Sequence, residues 1–587
     1  MRQALLALLV GMIAATLASM ITNDFYLRIL FSIATYFLCA AGMNVLLGYA
    51  GQKSLGQAGL FAAGAYTAAL MTTRWGFGPW TAFLAAGVVA GLFGILIALP
   101  SLRVKGPSLA MVTLAFGIVV EKVVSEFTDP FGGAMGLYAI QPLTWKGAPF
   151  TMQHWVLFAI FLSVVTHILL ANLLTGRFGR ALLSLQADEL AASSVGVPVY
   201  ATKVLAFVIA AVTCGLAGAL VAQQNQYLNS DFISFHLSIF IILMVLFGGA
   251  GSLAGPFLGA VVLVILGAYL ARWSWLEHFV NGALLLFALY AMPKGLAGLF
   301  RPKPAARIGG ALGQAVDVAL PIRPRASASA DTPLLAVTGI SKAYGGVKPA
   351  RDVSFSLTEG HIHALIGPNG AGKTTMINML SGVITPDAGT IHFLGQAIEG
   401  RGTEDIARLG LARSFQNLRL FTDLSVRDNV LLGQHSRMQN GFFASLLALP
   451  FAGREERQAE AKVAAILTFC GLSAHADLPA GSLPYGLQRR VELARALALE
   501  PRLLLLDEPA AGLNPSETAL LGDLLEAIRR QGITILIVEH HMDLVMRISD
   551  HVIVLDYGTK IAEGPPAKVQ ADPKVITAYL GIDEEAA

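Results

Sequence analysis

Ten apolar stretches occupy the first half of the chain, at roughly 3–21, 26–48, 54–72, 80–100, 107–125, 152–174, 203–224, 237–250, 255–270 and 277–299. Most approach the roughly 20 residues that a helix needs to cross a hydrocarbon layer about 30 Å thick. The pattern predicts an all-α polytopic membrane bundle of about ten spans over 1–300. The eighth and ninth stretches are short, with Gly248, Gly249, Gly251 and Gly255 between them. They read as two spans or as a re-entrant pair, which membranes tolerate only where protein or a cavity covers the broken backbone. The N-terminal run has no convincing small-x-small cleavage site and reads as a retained first span.

Apolar continuity ends near residue 300. Residues 301–332, rich in Pro, Ala, Gly, Ser and Arg, have no core periodicity and read as a linker whose basic residues suit anionic headgroups. From Pro333 the pattern changes. LLAVTGISKAY is strand-like by its β-branched residues, and 333–587 reads as a separate α/β domain. Within the apolar half, 175–202 is amphipathic, with Asp188 and Glu189 at its centre, and predicts a short helix at the membrane surface.

Charge sharpens the division. The first 300 residues hold 13 Lys/Arg and 8 Asp/Glu, and the remainder holds 28 and 30, a normal soluble balance. The net charge of +3 therefore arises in the membrane half, where it reports orientation, and gives no sign of a nucleic-acid partner. Cys39, Cys214 and Cys470 are far apart, without metal-binding spacing, and read as buried thiols.

The second half carries chemistry. HIHALIGPNGAGKTTMINML reads as strand, glycine loop and helix. Gly367, Pro368, Asn369, Gly370, Ala371 and Gly372 form a loop whose backbone N–H groups can close around phosphates, followed by Lys373, Thr374 and Thr375. Lys373 would reach the β and γ phosphates, and the Thr374 hydroxyl is placed for Mg²⁺. LLLLDEP, Leu503 to Pro509, is an apolar strand ending in two acids. Asp507 would hold Mg²⁺, and Glu508 would act as general base or water-orienting group at the γ-phosphate. These motifs predict a P-loop NTPase using ATP and Mg²⁺.

Taken in order, the motifs of this half resemble an ABC transporter ATPase. That resemblance implies that Tyr344 stacks on adenine. Gln416, in RSFQN, would sense Mg²⁺ and contact the permease. His540, in VEHHM, would touch the γ-phosphate, and Asn514 stands where the family usually has Asp in a dimer-contact loop. The signature segment reads Leu483, Pro484, Tyr485, Gly486, so that Pro484 replaces the usual serine. Proline offers neither hydroxyl nor N–H, which leaves the Gly486 backbone and the helix N-terminus as phosphate partners. LPYGLQRRVELARAL, AGLNP and the terminal AYLG resemble the ATP-binding subunit of branched-chain amino-acid importers. GFFASLLALPF, 441–451, is too short to span a membrane and reads as an insert in the helical subdomain of such an ATPase.

The first half independently resembles the permease of the same importers, through GYAGQKSLGQAGLFAAGAYTAAL, RVKGPSLAMVTLAFG, FGRALLSLQADELAASSVGV and FGGAGSLAGPFLGA. Their small residues let helices approach closely. By resemblance, 178–197 holds the coupling helix. Glu121 and Lys122, near the outer end of a span, read as solvated at headgroup level.

An ATPase after residue 300 must face the cytoplasm, and counting back through ten spans puts the N-terminus inside. The inner loops then carry Arg2, Lys53, Arg103, Lys105, Arg177, Arg180 and Lys203, against chiefly Arg74, Lys146 and Arg272 outside, obeying the positive-inside rule. The resemblance implies a subunit for ATP-driven uptake of branched-chain or related amino acids across the bacterial inner membrane, with amides or urea as the alternative cargo. It implies a second ATPase and a second permease, as a homodimer or as separate subunits, and an extracytoplasmic solute-binding protein. An exporter half-transporter shares the membrane-then-ATPase order, but its helices extend far into the cytoplasm, whereas the inner loops here are short.

Overall fold

The computed structural model describes residues 2–101, 104, 106–299, 320 and 333–580. Arg103, Lys105, Gly581 and the linker apart from Leu320 lie outside the described residues. Two compact units emerge. The first comprises Met1–Gln186, Val199–Lys303 and Phe442–Ala448, and the second Ala187–Pro198, Pro304–Gly441 and Leu449–Ala587.

The first unit is helical, and each of the ten apolar stretches contains a helix. Among the described residues, five are long and apolar enough to cross a membrane: Asp24–Tyr49, Pro79–Pro100, Pro107–Glu126, Met152–Leu174 and Val199–Asn225. The last stretch is interrupted, with Ser274–Ala291 followed by the short helix Gly295–Leu299 around Pro293. The eighth and ninth stretches form Phe235–Gly248 and Gly255–Leu270. At 14 and 16 residues they rise only about 21 and 24 Å. Asn44, on a π-turn that continues the second helix, ties down the connection between them. Its Oδ1 accepts from Gly251 N and its Nδ2 donates to Ser252 O, both at 2.9 Å. The broken backbone is thus satisfied by protein, as an apolar surround requires. Helix Gln57–Thr73 crosses Val199–Asn225 with almost no side chain between them. A Cβ on Gly64 would stand 2.1 Å from Gly215 O.

Two segments depart from expectation. The 175–202 loop is two helices, Arg177–Ala187 and Glu189–Ser194, not one. Asp188 breaks them by capping the second, its Oδ1 accepting from Leu190 N and Ala191 N at 2.9 Å. Residues 442–448, expected in the ATPase's helical subdomain, belong instead to the first unit. Phe442 and Leu446 pack against that unit's apolar core, and the Asn172 amide donates to Leu446 O at 3.2 Å. Its apolar side chains find more apolar surface there than an ATPase exterior offers.

The second unit is built on a six-stranded sheet. Its strands are β1 Ile362–Ile366, β2 Leu411–Arg413, β3 Leu503–Asp507, β4 Thr534–Val538, β5 His551–Asp556 and β6 Thr559–Gly564. Their spatial order is β2-β3-β4-β1-β5-β6, with only β6 antiparallel. Alternate residues feed two cores. Leu504, Leu506, Ile535 and Ile537 enter one, and Leu503, Leu505, Leu536 and Val538 enter the other. This two-sided burial explains the unbroken apolar runs. A second, antiparallel sheet carries strands 335–344, 347–357, 388–393 and 396–397.

Candidate functional site

Strand register assembles the site. β3, β4 and β1 lie side by side, pairing Asp507 with Val538 and Val538 with Leu365. The segments leaving their carboxyl ends are Asp507–Glu508, Glu539–His540 and Gly367–Thr375. Ligands of open parallel sheets bind at such an edge. The end of neighbouring β2 delivers Arg413, and two and three residues past it Phe415 and Gln416.

The phosphate loop has the backbone its glycines allow. Gly370 and Gly372 have φ of +84° and +100°, and a Cβ on Gly372 would stand 1.9 Å from Pro349 O. Helix Lys373–Leu380 starts directly behind them. Lys373 Nζ donates to Gly367 O at 2.7 Å and Pro368 O at 2.9 Å. Burial lowers its pKa, and Glu508 and Asp507 oppose that shift. Asn369, Gly370 and Thr374 are exposed along the loop's outer side.

The acids are differentiated by surroundings. Asp507 is buried, and desolvation raises its pKa against the opposing pull of Arg413, whose Nη2 lies 3.7 Å from Asp507 Oδ2. Burial in turn pushes Arg413 down to about 10. Asp507 Oδ1 is buried without a hydrogen-bond partner among the described residues. That orphaned oxygen, the Thr374 hydroxyl and the Gln416 amide oxygen are each hard donors of the kind Mg²⁺ takes. Glu508 holds an uncommon left-handed backbone, φ +46°. Its Oε2 accepts from Gln416 Nε2 at 3.1 Å and lies 3.8 Å from His540 Nδ1. Glu508, Gln416 and His540 are therefore together, and Lys373 feels the charges of Glu508 and Asp507.

The other expected residues stand on other elements. Tyr344 ends a strand of the antiparallel sheet, half exposed, with Lys342 Nζ 5.6 Å from its ring centroid. Pro484 is the N-cap of helix Tyr485–Ala498. Leu483 and Gly486 are buried, and Tyr485 is exposed with its ring edge beside Gly512. Asn514 caps helix Pro515–Arg530 in a reciprocal box with Glu517.

Sequence reasoning missed a buried ionic lattice on the signature helix. Arg489 donates to Phe415 O at 2.8 Å and Gln416 O at 2.5 Å, and pairs with Glu492 at 3.1 Å. Glu492 accepts from Phe415 N at 3.2 Å. Arg495 donates to Arg419 O at 2.7 Å, and the Arg419 side chain pairs with Asp188 at 2.5 Å. The 489/492/495 spacing in RRVELAR places all three on one helix face, a signal present in the sequence.

Residues 25–289 match the family described as "Branched-chain amino acid transport system / permease component", residues 350–511 "ABC transporter", and residues 559–585 "Branched-chain amino acid ATP-binding cassette transporter". The "High-affinity branched-chain amino acid transport ATP-binding protein LivG" of Salmonella typhimurium is 45% identical over 250 residues, covering 42% of this chain and 98% of that protein. The chain belongs to the branched-chain amino-acid ABC transporter family. The LivG of Escherichia coli is 44% identical over the same coverage. A crystal structure of a nucleotide-free ATP-binding cassette from an ABC transporter is 33% identical, with a TM-score of 0.38, covering 43% of this chain and 100% of that one. The transporter chain is thus a membrane permease fused to a nucleotide-binding ABC ATPase, and its ATP hydrolysis is coupled to transport.

Proposed function

We propose that the chain is the fused permease/ATPase subunit of an importer for branched-chain amino acids in the bacterial inner membrane. The observation that carries this is the permease-family segment and the Gln416–Glu508–His540 cluster on one polypeptide. Its 45% identity to a protein named for branched-chain amino-acid transport supports the cargo class.

In this reading the 367–375 loop and Tyr344 hold ATP, and Glu508 orients or deprotonates the attacking water. Gln416 and His540 fix the γ-phosphate end. Asp507, Thr374 and Gln416 would hold Mg²⁺, which supplies charge neutralisation on the phosphates. Lys373 adds positive charge there. Each complete site needs the loop of one ATPase and the Leu483–Gly486 segment of another, so a second ATPase faces this one, with a second permease beside it. Closing of the pair would reach the membrane helices through 177–198, where Asp188 meets Arg419. The N-terminus and the ATPase lie inside, and a solute-binding protein delivers cargo outside.

The test is ATP turnover of the reconstituted assembly with its binding protein across leucine, isoleucine, valine, amides and urea. Stimulation by the branched-chain amino acids is expected. Stimulation by amides or urea alone would reassign the cargo, and none by any of them would remove the importer reading.

A further inference from the structure

The first unit carries a half-open cavity of about 730 Å³ that the mechanism above does not use. Its size suits a small-molecule site, which typically spans ~300–1,000 Å³. Its lining mixes two kinds of surface. Phe31, Tyr36 and Phe240 form an aromatic wall, with the Tyr36 and Phe240 rings edge to face at 5.4 Å. Leu243 extends the apolar lining. Two opposite charges, the exposed Arg28 and Asp231, line the same space together with His236 and the amides of Gln224, Asn225 and Asn281.

The charges have separate origins in the fold. Arg28 is in the second turn of the helix starting at Asp24, and Asp231 is in a short 3-10 turn, Ser230–Ile233, beyond the end of helix Val199–Asn225. Asp231 is held by Asn229, whose Nδ2 donates to its Oδ2 at 2.8 Å. With the ATPase inside, both stand at the outer end of the bundle, where cargo arrives. Ionisable residues in a membrane protein are costly on the lipid face and favour the interior of the bundle or a cavity. A cavity with one cation, one anion and an apolar wall complements a molecule with a carboxylate, an ammonium and an aliphatic or aromatic side chain. Urea and simple amides carry neither charge and would leave both groups without a counterpart.

We propose that this cavity is the permease's outward-facing cargo site for zwitterionic α-amino acids, with Arg28 receiving the carboxylate, Asp231 the ammonium, and the aromatic wall the apolar side chain. The proposal rests on the importer reading and narrows its cargo.

The test is radiolabelled leucine uptake into proteoliposomes by the complete transporter with saturating binding protein, comparing wild type with Arg28→Gln, Asp231→Asn and Arg28→Lys. Gel filtration verifies assembly of each variant. Arg28→Gln and Asp231→Asn should each lower the maximal uptake rate at least about tenfold, with Arg28→Lys recovering part of it because the charge is retained. Assembled Arg28→Gln and Asp231→Asn complexes that import leucine at half the wild-type rate or more would overturn the site. Failure of the importer reading shows separately, as a wild-type complex that imports urea or amides and no amino acid, and that result overturns the site as well.

Discussion

Glu492→Ala should disconnect the γ-phosphate end of the ATP site from the signature helix. The Glu492 side chain is 2% exposed and that of Arg489 5%. Removing the carboxylate leaves the Arg489 guanidinium buried without its anion and the Phe415 N–H without its acceptor. Breaking a buried pair in this way costs about 3–5 kcal/mol, and the lost amide acceptor adds about 1–3 kcal/mol. Glu492→Gln keeps the acceptor for Phe415 N and should cost distinctly less. Arg489 also holds the Gln416 carbonyl, so the strain falls on the loop that presents Gln416 to Glu508. In the proposed site ATP is gripped mainly by the phosphate loop and Tyr344, so nucleotide affinity should change little while kcat falls more than about tenfold, equivalent to about 1.4 kcal/mol. Denaturant unfolding of the second unit, nucleotide titration and steady-state ATP turnover of the assembled transporter measure the three quantities. A stability loss below about 1 kcal/mol, or a kcat loss matched by an equal loss of nucleotide affinity, would refute the reasoning.

Three further outcomes are expected. Pro484→Ser should supply a side-chain cap worth about 0.5–2 kcal/mol to helix Tyr485–Ala498 while changing ATP turnover less than about tenfold; a larger rise would show that the missing hydroxyl limits hydrolysis. Asp188→Asn keeps a good helix cap but loses the charge opposite Arg419, a partly exposed pair worth at most about 1 kcal/mol. Cargo moved per ATP should fall with stability nearly unchanged, and an unaltered ratio would deny this pair a coupling role. Burial holds His363 at a pKa of about 4, below its ordinary 6.5. The unfolded chain therefore binds the proton first as pH falls. Stability is full above about pH 6.5, declines toward pH 4 and is lower there by about 3 kcal/mol. His363→Gln should flatten that decline in a pH series of unfolding curves.

The bundle was legible because a span needs a long apolar run, and each of the ten runs contains a helix. The phosphate loop and Leu503–Asp507 were equally legible, since a glycine loop behind one buried strand and acids behind another have few alternative uses. Residues 442–448 were misassigned because an apolar run of seven residues carries no address: it packs wherever apolar surface is available. The break at Asp188 was readable as a capping residue, but the amphipathic pattern runs through it. Arg489, Glu492 and Arg495 look like an ordinary solvated helix face until the packing shows them buried. The cavity shared by Arg28 and Asp231 joins residues about 200 positions apart, and no local pattern announces it.

Coupling between the two activities tests the account most directly. Leucine uptake and ATP hydrolysis should be followed in the same proteoliposomes, for the wild-type assembly and for Glu508→Gln. The account predicts that uptake requires ATP, that the leucine-loaded binding protein stimulates hydrolysis, and that both activities collapse together in Glu508→Gln. Sustained uptake by Glu508→Gln at the wild-type rate, or hydrolysis indifferent to every amino acid, would contradict it.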